Sequence, residues 1–277
     1  MIVTVEWLRD HIVDEHVSIV DCRFDLANPN WGREQYEKEH IPHAIYFDLN
    51  LDLSSPVTEH GGRHPLPDIQ DFAEKLSQAG IDEHTTVIAY DSQGGAMASR
   101  LWWLLTYVGH QKVYVLNGGF PAWKESKLST TAAVPTIERK TFIPNVQDSM
   151  LVTMEDVKGK IRTNADITLI DSREPKRYAG AEESVDPKAG HIPTAENYFW
   201  KDGITEEGHF KNKDEQEERF HHLTKEKETI VYCGSGVTAC PNILALQAAG
   251  FRNVKLYAGS WSDWISYPEN QIVKEEQ

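Results

Sequence analysis

A chain of 277 residues is long enough for one large domain or two ordinary ones and can bury most of its unfolded surface without disulfides. Its 28 Lys and Arg against 43 Asp and Glu leave a formal charge of −15, which repels phosphate backbones and anionic lipid and excludes nucleic acid and membrane surfaces as expected partners. No apolar run approaches the roughly 20 residues of a membrane span, the first ten residues lack the apolar stretch of a secretory signal, and three cysteines do not make a disulfide framework, so a reduced cytoplasmic protein is expected.

In chain order, Thr4 ahead of Trp7 and Leu8 reads as a helix start, and short β-rich apolar runs at 18–24, 44–48, 85–91 and 112–117 predict strands. The Leu, Ala and Trp content of 96–108 predicts a helix that stops at Gly109. From Ser126 to Asp148, Ser, Thr, Pro135 and Pro144 mix without helical period, as in a linker. Thr153, with Asp156 three residues later, marks another helix start; 167–171, 229–233 and 253–257 predict strands, and 241–249 a helix stopped by Gly250. Strand, helix, strand with apolar runs throughout predicts parallel sheets covered by helices on both faces, an α/β fold.

The chain is written twice. Ile19-Val20-Asp21-Cys22-Arg23 returns as Leu169-Ile170-Asp171-Ser172-Arg173, and His40-Ile41-Pro42 as His191-Ile192-Pro193. The run Thr86 to Asp91 returns as Thr229 to Cys233, and Gly118 to Trp123 as Gly259 to Trp264. Four matches in one order predict two homologous domains, 1–130 and 150–277, joined by a linker over 131–149.

Residues present in both copies read as architecture, and residues present in one copy as chemistry. Arg23 and Arg173 therefore read as partners of Asp21 and Asp171, and the repeated Gly and Trp positions as core. The copies part where strand meets helix: Asp91-Ser92-Gln93-Gly94-Gly95 in the first, Cys233-Gly234-Ser235-Gly236-Val237-Thr238 in the second. Only the second has a nucleophile, placed at the carboxyl end of a parallel strand, where open α/β sheets bind ligands. Gly234 and Gly236 let amide N–H groups turn toward the sulfur, and the helix N-terminus, with Thr238 read as its cap, favours thiolate.

Cys240 on the helix and Cys22 in a strand read as inert packing. The sixth residue after Cys233 is Ala239, so the phosphate-clamping arginine of a cysteine phosphatase is missing. Cys233 and Cys240 are poorly spaced for a metal, His221-His222 lies in a charged surface stretch, and no glycine-rich nucleotide loop occurs; neither metal nor cofactor is expected.

These tandem Asp-x-Arg, His-Ile-Pro and Gly-x-x-x-x-Trp segments, with Cys-Gly-Ser-Gly-Val-Thr in the second copy, resemble the two-domain rhodanese family, and within it the 3-mercaptopyruvate sulfurtransferases. The resemblance spans essentially the whole chain. It implies two tandem rhodanese-like domains, each a five-stranded parallel sheet between helices, the first catalytically silent and the site at their interface. It also implies that Cys233 takes sulfur from a small-molecule donor as a persulfide and passes it to a thiol, thioredoxin or cyanide.

By the same resemblance Arg177 binds the donor carboxylate, while a second donor-binding arginine of animal members falls at Asp186 here and leaves Lys188 as a replacement. His64, in Arg63-His64-Pro65-Leu66-Pro67, matches the histidine of an acid, His and Ser relay whose serine is Ser235 and whose acid falls at Asn50 or Asp52. Gly234, Gly236, Val237 and Thr238 complete the cradle. The loop carries no cationic side chain, unlike the thiosulfate-using branch, so 3-mercaptopyruvate is the expected donor. A thiosulfate:cyanide sulfurtransferase on the same cysteine and a non-catalytic rhodanese binding module are the alternatives.

Overall fold

The computed structural model describes residues 1–275. It divides into two compact units, the first made of Met1–Ser55, Leu66–Gln147 and Glu206–Phe210, the second of Pro56–Pro65, Asp148–Thr205 and the chain from Lys211 onward. A short segment of each repeat thus belongs to the unit built by the other repeat.

The first unit holds strands β1 (Ile2–Val3), β2 (Val17–Asp21), β3 (Ile45–Tyr46), β4 (Thr86–Tyr90) and β5 (Val113–Leu116), with helices α1 (Val5–His11), α2 (Trp31–Lys38), α3 (Ile69–Gln78), α4 (Ala96–Tyr107) and α5 (Gly119–Glu125). Its sheet runs β1-β5-β4-β2-β3 with every pairing parallel. The second unit repeats the plan with β6 (Leu151–Val152), β7 (Ile167–Asp171), β8 (Glu196–Asn197), β9 (Glu228–Tyr232) and β10 (Val254–Tyr257), ordered β6-β10-β9-β7-β8 and again all parallel. Its helices are α6 (Met154–Arg162), α7 (Pro175–Ala179), α8 (Lys213–Arg219), α9 (Ala239–Ala248) and α10 (Ser260–Trp264).

The central strands β4 and β9 are buried over their last four residues, which is why they read as continuous apolar runs rather than alternating ones. Trp123 and Trp264, equivalent in the repeats, each lie in their unit's core. Equally repeated is a lock behind the sheet: Arg23 pairs with Asp21 and Arg173 with Asp171, both at 2.6 Å. Each guanidinium also donates to the carbonyl just before the next His-Ile-Pro, Glu39 O at 2.7 Å and Gly190 O at 2.6 Å. The lock ties the end of one strand to the entry of its neighbour, so the Asp-x-Arg and His-Ile-Pro motifs serve one device.

Two expectations change. The segment after Ser126 has no regular element, yet it lies along the first unit: Thr131 and His40 exchange backbone bonds, Lys140 N–H donates to Ser77 O, and Asn145 N–H to Val108 O. Thr238 occupies the N-cap position of α9 without capping it, because its backbone is already helical (φ −76°) and its side chain accepts no amide bond. By contrast Thr153 and Asp156 form a reciprocal capping box on α6, and Thr4 accepts from Trp7 N–H on α1.

Candidate active site

Cys233 follows the last residue of β9 and is buried. Its loop is stitched to α10: Cys233 N–H donates to Ser260 Oγ (3.1 Å), Trp261 N–H to Cys233 O (3.0 Å), and Ser262 N–H to Gly234 O (2.9 Å). Gly236 turns the loop at φ +77°, and an added Cβ there would overlap the Ala258 carbonyl oxygen, so only glycine fits. Among the described residues the amides of Gly234, Ser235 and Val237 have no hydrogen-bond acceptor in the protein. Buried amides rarely go unpaired in native structures, so these donors suit a bound anion.

The Pro56–Pro65 segment brings His64 to this loop, where His64 Nδ1 meets Ser235 Oγ at 2.7 Å. The segment is fastened to α10 and the turn beyond it. Gly61 N–H donates to Asp263 Oδ1 (2.7 Å), Arg63 N–H to Ser262 Oγ (3.1 Å), and the His60 ring stacks on Tyr267 at 4.0 Å. Asp52, one of the two positions expected for the relay's acid, accepts from Asp48 N–H (2.7 Å) and pairs with Lys75 (3.0 Å) in the first unit.

Arg177 stands on α7, two residues from its end, and is held by Glu183 (2.8 Å) and Asp186 (2.9 Å). Lys188 does not replace the missing second arginine: its ammonium donates to the Ile265 carbonyl at 2.9 Å. Arg63 is instead the second cation beside Arg177. Its Nη1 pairs with Asp186, and its Nη2 lies 2.8 Å from where a Cβ on Gly234 would be, beside Arg177 Nη1 at 3.8 Å. Burial lowers the Arg63 guanidinium below its usual range, and the nearby Cys233 opposes that shift. The loop therefore does have cations beside it, contributed by residues distant in sequence. Arg63 has no counterpart in the repeat pattern, and its one signal in the sequence is that it adjoins His64.

The first unit shows what such a loop is built to hold. Asp91, at the position of Cys233, is fully buried, and its carboxylate accepts from the amides of Gln93 (2.8 Å), Gly95 (2.9 Å), Met97 (2.8 Å) and Ala98 (3.0 Å). Burial raises the Asp91 carboxyl above its ordinary range and the four amides counter it, since donors to both oxygens favour the ionised form. Counted by the offset from Asp91 to Cys233, these amides correspond to those of Ser235, Val237, Ala239 and Cys240.

A family model described as the rhodanese-like domain matches residues 4–126 and again 153–267. The chain belongs to the rhodanese family. Among similar rhodanese chains is the Pseudomonas aeruginosa "Probable 3-mercaptopyruvate sulfurtransferase", 37% identical over 98% of this chain and 97% of that one. The Arabidopsis thaliana "Thiosulfate/3-mercaptopyruvate sulfurtransferase 2" is 30% identical over 98% of this chain and 86% of its own length. Among solved structures, the 3-mercaptopyruvate sulfurtransferase from Leishmania major superposes with a TM-score of 0.84 at 28% identity, covering 95% of this chain and 73% of that one. The two-domain rhodanese architecture and the full-length relatives make this chain a sulfurtransferase. Among the described residues no helix is long and apolar enough to cross a membrane.

Proposed function

We propose that this sulfurtransferase moves the sulfur of 3-mercaptopyruvate to a thiol or cyanide acceptor through a persulfide on Cys233. One observation carries the reading: Arg63 Nη2 and Arg177 Nη1 face Gly234 side by side, next to the cysteine and the unpaired amides of its loop. Two guanidinium nitrogens so placed suit a carboxylate, the charge-assisted contact that orients a small acid.

The Cys233 thiolate attacks the donor sulfur; the new S–S bond forms as the C–S bond breaks, and the electron pair leaves as the enolate of pyruvate. A proton delivered through the Ser235 and His64 pair converts that enolate to pyruvate. The sulfur left on Cys233 sits where Asp91 holds its carboxylate in the silent copy, within reach of amide donors. An acceptor thiolate, thioredoxin's among the candidates, then attacks the outer sulfur and releases Cys233 as thiolate.

The guanidinium pair also favours a second reading, thiosulfate as donor, since either oxyanion can meet two arginines. Steady-state kcat/KM for both donors separates the readings: 3-mercaptopyruvate is expected to be preferred, and a preference for thiosulfate overturns the first. Mass measurement after donor treatment should show Cys233 heavier by one sulfur atom; no addition would instead indicate a non-catalytic module.

A further inference from the structure

The two guanidiniums at the loop are joined by a carboxylate that is itself almost wholly buried. Asp186 gives one oxygen to Arg63 Nη1 and the other to Arg177 Nη2, while Glu183 holds Arg177 Nε at 3.1 Å. Each fork thus has a bound side and a free side. The free nitrogens, Arg63 Nη2 and Arg177 Nη1, lie 2.8 and 3.8 Å from where a Cβ on Gly234 would be, with the bound Arg177 Nη2 at 3.9 Å. Glu183 in turn reaches Arg173 at 3.5 Å, which is already paired with Asp171. Three arginines therefore stand against Asp171, Glu183 and Asp186, and the cluster is formally neutral before the cysteine is counted.

We propose that Asp186 is a positioning residue that sets donor choice: it holds the two guanidiniums side by side and brings the cluster to neutrality, so that the site takes a monoanionic carboxylate over a dianion. This rests on the reading of Arg63 and Arg177 as the donor clamp beside Cys233. Without the bridging carboxylate the two cations repel, and an uncompensated positive charge remains next to the loop. Arg63 and Arg177 are each partly exposed, so such a charge is felt at the loop and is weakened by salt.

The test compares kcat/KM for 3-mercaptopyruvate and thiosulfate in the wild type, Asp186→Asn and Asp186→Glu, at low and high salt. The ratio of the two should move toward thiosulfate by about tenfold or more in Asp186→Asn, chiefly through KM for the dianion, and less at high salt. Inhibition by sulfate should strengthen in step, while inhibition by pyruvate should not. Asp186→Glu, which keeps the charge, should return the ratio toward the wild-type value. Arg63→Gln removes a cation, keeps Asp186, and should move the ratio the opposite way even if Asp186→Asn does not fold. Equal loss for both donors, or an unmoved ratio, overturns the proposal and makes Asp186 a structural residue. The direction of the shift does not depend on which donor the wild type prefers, so a thiosulfate-preferring wild type overturns the donor reading and leaves this proposal to be judged separately.

Discussion

All three cysteines are buried, so burial does not distinguish the nucleophile; surroundings do. Cys22 follows β2, where burial pushes its thiol well above the usual range, Asp21 adding to the effect. Cys240 lies in the first turn of α9 with its sulfur against Gly236 O at 3.4 Å. Cys233→Ser should abolish turnover, and Cys22→Ser and Cys240→Ser should each retain most of it; retained turnover in the first, with all three folded by circular dichroism, would reverse the assignment. Arg63→Ala and Arg177→Ala should each raise KM for 3-mercaptopyruvate by roughly tenfold to a hundredfold, since a hydrogen bond to a charged group is worth about 1.5–3 kcal/mol. Discharge of a preformed persulfide to a thiol should be unchanged in both, which single-turnover mixing reads directly. In the silent copy, Asp91→Ala strips four amides of their acceptor. At about 1–3 kcal/mol for a buried group left unpaired, urea unfolding should show a loss of at least about 3 kcal/mol, and a shift under about 1 kcal/mol would mean that solvent reaches the loop.

At the level of helices and strands, the two threonines read as caps make a matched pair. Thr153→Ala removes an N-cap acceptor from α6 and should cost about 1 kcal/mol, whereas Thr238→Ala on α9 should cost little, because no capping bond exists to lose. Equal costs by urea denaturation would show that the α9 hydroxyl has a role beyond its own helix. The long strands and α4 were readable because burial on both faces writes an apolar run into the sequence. The two-residue strands β1, β6 and β8 are too short to display any period, and only the comparison of repeats argues for them. Cys233 stood out as the candidate nucleophile because duplication supplies its own control, Asp91 standing opposite it. Arg63 did not, because its place beside the loop depends on a carboxylate more than a hundred residues away, and spacing along the chain carries no trace of that meeting. Thr238 misled for a related reason: residue type suggests a cap, but the loop enters α9 with a backbone already helical at Thr238.

Across the whole molecule, acid should act partly through His110, which is buried in the first unit and tilted against Phe142. Burial holds its pKa below the ordinary value near 6.5, opposed by the Thr85 and Lys112 backbone and the Asp82 charge and aided by the Lys112 ammonium. The unfolded chain then binds the proton more readily, so the stability this group contributes is complete above about pH 6.5 and falls as the pH drops through that value. The melting temperature measured from pH 7.5 to 5.5 should decline less steeply in His110→Gln than in the wild type; parallel curves would assign the decline to other groups. The exchanged segments have a consequence of another kind. Pro56–Pro65 and Glu206–Phe210 begin at nearly the same distance beyond the two His-Ile-Pro motifs, and each belongs to the unit made by the opposite repeat. The half of the gene that encodes Cys233 therefore encodes neither Arg63 nor His64. The second repeat made alone thus lacks both side chains that the proposed mechanism sets beside Cys233.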